Sequence, residues 1–167
     1  MFKFSHTALI YISGIIWMFV GWMLLRLGLT LLLGPSLAQS VASDEIALSH
    51  PILAAISPYL GVNGGVALLL ILAFFVGYMK GRHVLGKSVN KGVERIRSFP
   101  NPTSLANIYS AKYYVLLGGM MALGISIKYL GIPNDIRGTI DIAIGMALVQ
   151  GASSYFRQAR MLKTQAL

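Results

Sequence analysis

The sequence predicts an all-α integral membrane protein, a single four-helix bundle, because of its apolar stretches and overall composition. Four long apolar stretches lie between charged loops, at residues 8–33, 61–79, 113–130 and 138–156. Each is close to the ~20 residues that an α-helix needs to cross about 30 Å of hydrocarbon. Hydrophobic residues form 56% of the chain and the mean hydropathy is +0.69. That composition leaves too little polar surface for a soluble domain of 167 residues.

The distribution of Lys and Arg predicts the orientation of the four spans. Eleven of the fourteen cationic residues fall near the N-terminus, in the loop at residues 80–112, or in the tail at residues 157–167. Cationic segments are retained on the cytoplasmic side during insertion. We therefore expect a multi-pass protein of a bacterial inner (plasma) membrane with both termini cytoplasmic. The net charge of +9 is explained by topology, and no nucleic-acid partner is expected.

Small residues recur every seven positions in the first and fourth stretches. They are Gly14, Gly21 and Gly28 in the first stretch and Gly138, Gly145 and Ala152 in the fourth. A seven-residue period keeps such positions on one stripe of a helix, and small residues let two helix backbones approach closely in a membrane. The stripe predicts helix packing; the alternative is a glycine-lined ligand path.

The two halves of the chain resemble each other in short segments. Residues 21–28 parallel residues 124–131, each with a basic residue shortly before its second glycine. The similarity suggests a duplicated helical hairpin with two spans in each half. Duplicated folds of this kind occur among transporters, whose sites tend to lie between the repeats.

The predicted outer loop, residues 34–60, contains apolar segments of its own. Pro51 and Pro58 divide it into pieces too short to span a bilayer. The sequence leaves open whether this loop lies on the outer surface as a lid or re-enters the membrane.

Residues 81–88 read GRHVLGKS, a literal match to the phosphate-loop pattern. That chemistry requires a turn between a strand and a helix, with backbone N–H groups around the phosphates. Here the string follows a predicted transmembrane helix, so a nucleotide site is not expected.

The same region is better interpreted as an amphipathic continuation of the second span. Leu85, Val89, Val93 and Ile96 lie near one stripe, and basic residues lie on another. We expect this helix to rest on anionic phospholipid headgroups or a partner, and to end before Phe99 and Pro100. The predicted contact residues are Lys80, Arg82, Lys87, Lys91, Arg95 and Arg157.

Charged residues inside the apolar stretches predict an intramembrane cluster near the outer side. A lone charge there costs several kcal/mol, so Arg26 and Asp141, at similar estimated depth, are expected to pair. The pair is interpreted as a clasp between the halves or as a vestibule for an anion or coupling ion; the remaining alternative is that the Arg26 side chain extends to the membrane surface. The cluster comprises Arg26, Lys128, Asp135, Arg137 and Asp141.

Catalytic and metal-binding patterns are missing from the sequence. There is no Cys, no H-E-x-x-H, and no pair of carboxylates in one predicted span. No enzyme activity, cofactor or metal is expected.

The leading functional hypothesis is a transport-type or channel-type protein for an anionic solute, working as a homo-oligomer because four spans enclose little interior. The alternative is a non-catalytic accessory or structural subunit of a larger membrane complex.

Overall fold

The computed structural model describes residues 3–37, 49–104 and 129–165, and these residues are almost entirely helical. The all-α class is thereby confirmed. In chain order the elements are β1 (Lys3–Phe4), α1 (His6–Leu37), α2 (Pro51–Lys80), a π-helical turn (Gly81–Leu85), α3 (Gly86–Arg97), β2 (Thr103–Ser104) and α4 (Asn134–Gln165). The two short strands pair antiparallel, with Lys3 opposite Ser104.

Two of the helical segments are long and apolar enough to cross a membrane. They are residues His6–Gly34 of α1 and the continuous helical stretch Pro51–Arg97. Helix α4 contains the fourth predicted span but is not one of these two. The third predicted span, residues 113–130, lies almost wholly outside the described residues. The four-helix bundle and its duplicated hairpins therefore stay predictions.

The heptad glycines form the contact between α1 and α4, which run antiparallel. A Cβ atom at Gly28 would lie 2.6 Å from the carbonyl oxygen of Gly138, and one at Gly21 would lie 2.9 Å from that of Gly145. Glycine is required where backbones approach this closely. The prediction that this stripe packs helices together is confirmed, and we call the contact the glycine seam.

Helix α2 and the π-helical turn that follows it also pack closely against α4, and they run parallel to it. A Cβ at Gly77 would meet the Ala143 carbonyl oxygen at 2.5 Å, and one at Gly81 would meet that of Ala147 at 3.0 Å. Helix α4 is therefore the element that both apolar helices contact.

Residues 51–60 form a short helix that folds back on the rest of α2. A straight helix would place residues 53 and 65 about 18 Å apart, yet a Cβ at Gly65 would lie 3.1 Å from Leu53 Cδ2. The reversal occurs at Gly61, whose φ of 69° and ψ of 165° interrupt the helix. Only glycine adopts this backbone conformation readily.

Pro58 does not interrupt this short helix, which corrects the sequence-based expectation, whereas Pro51 marks the start of the helix. Pro51 occupies the first turn, where an N–H is not needed. Pro58 lies inside the helix and cannot donate to the Ala54 carbonyl; the Ser57 hydroxyl donates to it instead, at 3.2 Å. Residues 51–60 of the predicted outer loop therefore form a folded-back helix, and the choice between a surface lid and a re-entrant loop stays a prediction.

Candidate functional site

A buried carboxylate connects α4 to the start of α2. Asp135 is fully buried, and its Oδ2 accepts hydrogen bonds from the backbone N–H groups of Ile52 at 2.6 Å and Leu53 at 3.1 Å. Its Oδ1 accepts one from the N–H of Ile136 at 2.7 Å. All three donors are backbone groups, so the carboxylate holds two helix starts together.

The local sequence explains why α2 needs this partner. The residue that precedes the helix, His50, makes no capping hydrogen bond with its side chain. The first N–H groups of a helix have no partner within the helix and carry its positive partial charge. The carboxylate of Asp135 satisfies two of them from another helix.

His50 adds a second link at the same end. Its ring is buried, and Nε2–H donates to the Leu31 carbonyl of α1 at 3.1 Å. Nδ1 lies 2.7 Å from the Ser49 hydroxyl. We call Asp135, His50 and the N–H groups of Ile52 and Leu53 the outer latch, because they join α1, α2 and α4 at the end of the bundle that the sequence predicts to face outward, the outer end.

Asp141, one of the predicted cluster residues, pairs within its own helix. Its Oδ2 lies 3.8 Å from Arg137 Nε, and the two side chains are 16% and 21% exposed. That oxygen is buried and accepts no hydrogen bond within the described part of the chain.

The predicted Arg26–Asp141 pair is wrong. Arg26 is exposed, and it stands two residues before Gly28, a rotation of about 200° around the helix. Its side chain therefore leaves α1 on the side opposite the glycine seam. Of the predicted cluster, Lys128 lies outside the described residues.

The predicted headgroup residues are all exposed at the opposite end of the bundle, which we call the basic end. It is formed by the end of α2, the π-helical turn, α3, the first turns of α1 and the last turns of α4. The exposed predicted residues there are Lys80, Arg82, Lys87, Lys91, Arg95 and Arg157.

Helix α3 is held at this end by its apolar stripe, which is buried against the neighbouring helices. Val89, Val93 and Ile96 pack with Leu9 of α1 and Tyr155 of α4. The predicted apolar stripe of α3 is therefore confirmed as a packing face, and the expected contact of its cations with headgroups or a partner stays a prediction. The stripe faces the bundle, and this leaves the cations of α3 directed outward.

Two further contacts close the basic end. The ring N–H of His6 donates to the Phe99 carbonyl at 3.0 Å, just beyond the end of α3. Gln158 of α4 donates to the Asn90 side chain of α3 at 2.6 Å. Both contacts fix α3 against the two neighbouring helices.

The string at residues 81–88 has no phosphate-binding geometry. Gly81–Leu85 form a π-helical turn and Gly86 begins α3, with the Gly86 N–H bonded to the Gly81 carbonyl. Backbone N–H groups used in helix hydrogen bonds are not free to surround a phosphate.

Metal-ligating side chains do not gather anywhere in the described ranges: no group of three His, Asp or Glu residues stands close enough to hold an ion. Comparison of the chain with protein families, curated proteins and solved structures finds no match.

Proposed function

We propose that the protein is a non-catalytic structural subunit of a membrane complex, the alternative that the sequence left open. The observation that carries this proposal is the glycine seam. Backbone meets backbone at Gly21 and Gly28, so the contact between α1 and α4 leaves no room for a solute. Packing of this kind is typical of helix association in membranes.

The polar groups at the outer end support the same proposal. A solute path requires polar side chains that are free to exchange partners. Asp135 and His50 are instead buried and bonded to backbone groups of neighbouring helices. These residues stabilise the arrangement of the helices, so they are poor candidates for a transport route.

The sides of α1 and α2 that point away from the bundle form the surface that lipid or a partner subunit would cover. Large apolar side chains point outward at successive turns of both helices, as a bilayer requires. They include Ile15, Phe19, Trp22 and Met23 on α1 and Ile71, Leu72, Phe75 and Met79 on α2. The orientation proposed from the cation distribution places the basic end in the cytoplasm of a bacterial cell.

Native mass spectrometry after extraction from membranes in mild detergent tests this proposal. The expected result is a species heavier than the 18.1 kDa chain by a foreign subunit, whereas a complex of further copies of the chain alone would favour the transport hypothesis. Recovery of the bare monomer alone, across a series of detergents that preserve other complexes, would contradict it.

A second candidate, transport of an anionic solute or a coupling ion, is favoured by one observation. The Oδ2 atom of Asp141 is buried beside Arg137, and no donor among the described residues forms a hydrogen bond with it. Such a group in a membrane protein is a recognised sign of an ion pathway. Flux in liposomes that disappears in Asp141→Asn and persists in Arg26→Gln would favour this candidate; equal flux in empty and protein-containing vesicles would exclude it.

A further inference from the structure

A groove of about 470 Å³ runs along the C-terminal part of α4 at the basic end. It combines two arginines with two hydroxyl groups and two apolar side chains. The lining residues are Ser153, Phe156, Arg157, Arg160, Met161 and Thr164. Cationic and apolar groups therefore share one concave surface.

The two arginines are the hydrogen-bond donors that this groove offers to a ligand. Arg157 and Arg160 stand three residues apart, a spacing that places two side chains on one helix face. Both are exposed, and neither forms an ion pair within the residues that the structure describes. The hydroxyls of Ser153 and Thr164 donate to backbone carbonyls of α4, at 2.7 and 3.1 Å, so the guanidinium groups remain for an anion.

The apolar part of the groove continues toward α1. The Phe156 ring lies over Gly14, where an added Cβ atom would be 2.7 Å from the ring. The centroids of the Phe156 and Tyr11 rings are 6.0 Å apart. Met161 is exposed at the edge of the same surface. A ligand with a negatively charged head and a hydrocarbon part matches both halves of the lining.

The position of the groove along the helices agrees with a lipid headgroup. The apolar helix begins at His6, about 12 Å from Gly14 along α1. Helix α4 runs antiparallel to α1, and Phe156 faces Gly14. Arg160 therefore lies about 6 Å beyond the level of Gly14, in the direction of His6. Arginines near the ends of membrane helices reach the headgroup layer.

We propose that this groove binds one anionic phospholipid, with its phosphate between Arg157 and Arg160 and its first hydrocarbon segments on Phe156 and Met161. This proposal rests on the membrane location in the proposed function and makes it more specific. It assigns lipid recognition to one face of α4, whereas the remaining cations of the basic end act only as a diffuse charge.

Lipid titration of the purified full-length chain, read by native mass spectrometry, tests the groove. The probes are phosphatidylglycerol and phosphatidylcholine with identical acyl chains. The variant is Arg157→Gln with Arg160→Gln, and the control is Lys87→Gln with Lys91→Gln, which removes the same charge from exposed positions of α3. We expect about tenfold weaker phosphatidylglycerol binding in the α4 variant and less than a twofold change in the control.

Other results would overturn the site. Equal losses in both double variants would show diffuse attraction, and equal binding of the two lipids would show that charge is not recognised. Competition by soluble glycerol phosphate at the same concentration would assign the groove to a soluble anion. A cross-link between a reactive group at position 160 and residues 105–128 would show that the chain itself fills the groove.

Failure of the site and failure of the proposed function are separable. A chain released from membranes by carbonate washing would contradict the membrane location itself. A chain that stays in the membrane but binds both lipids alike would contradict only the lipid site.

Discussion

The two ends of the bundle use their polar residues in opposite ways. At the outer end, Asp135 and His50 are buried and bonded to the backbone of neighbouring helices. At the basic end, the charged groups of α3 and α4 are exposed, and the helices are held by buried apolar side chains such as Ile96. The outer latch therefore contributes to helix arrangement, while the exposed cations are available to lipid or a partner.

This difference separates residues whose loss should unfold the protein from residues whose loss should change only its binding. When a buried carboxylate is removed by substitution, the N–H groups that donated to it are left without an acceptor. An exposed cation that is removed leaves water in its place, with little cost to the fold. The two ends should consequently respond differently to substitution.

The largest effect is expected at the apolar contact that holds the basic end. Ile96→Ala removes a buried side chain between α3 and its neighbours and should lower the free energy of unfolding by about 3 kcal/mol. Ile71→Ala, at a side chain 66% exposed on α2, is the matched control and should change it by less than about 0.5 kcal/mol. Equilibrium unfolding in mixed micelles measures both, and equal losses would contradict the packing of α3.

The outer latch should give the next largest effect. Asp135→Ala leaves the N–H groups of Ile52 and Leu53 without an acceptor and should cost about 2 kcal/mol. Asp135→Asn keeps one acceptor oxygen and should cost less. Amide hydrogen exchange should accelerate at Ile52 and Leu53 in the alanine variant; unchanged protection there would show that Asp135 does not cap α2.

The glycine seam should be sensitive to a single methyl group. A Cβ at Gly28 would meet the Gly138 carbonyl oxygen at 2.6 Å, so Gly28→Ala should push α1 and α4 apart and destabilise the protein by about 1–2 kcal/mol. Gly34→Ala on the same helix, where no described atom lies within 4 Å, should be neutral or slightly stabilising. Thermal melts in detergent compare the two, and equal midpoints would argue against the close approach.

The smallest effect on stability is expected from the exposed cations of α3. Lys87→Gln with Lys91→Gln should change the free energy of unfolding by less than about 0.5 kcal/mol, since both side chains are exposed. Equilibrium unfolding in mixed micelles measures this change. A larger loss of free energy would mean that these residues have buried partners.

The features that the sequence predicts well are periodic. Gly21 and Gly28 share one face of α1, and Val89 and Val93 share one face of α3. Spacing alone assigns each set to its face. The end of α3 at Arg97, just before Phe99 and Pro100, follows from the conformational limits of proline.

The features that were missed depend on contacts between distant segments. Pro58 predicts a helix break, but the hydroxyl of Ser57 donates to the Ala54 carbonyl that Pro58 leaves without a backbone donor. Asp135 satisfies N–H groups more than eighty residues earlier in the chain, and no local pattern records such a partner. For Arg26, hydropathy indicates depth in the membrane but not direction around the helix. Its position two residues before Gly28 is the signal in the sequence that it faces away from the glycine seam.

The central claim is that the interface around α4 is closed to water at the outer end, and one labelling measurement tests it directly. The chain has no Cys, so Ile142→Cys and Leu130→Cys can each be labelled without background in reconstituted vesicles. Ile142 is fully buried, whereas Leu130 is 72% exposed. We expect a water-soluble maleimide to modify position 130 and to leave position 142 unmodified. Comparable modification at both positions would contradict the closed interface and favour a transport path.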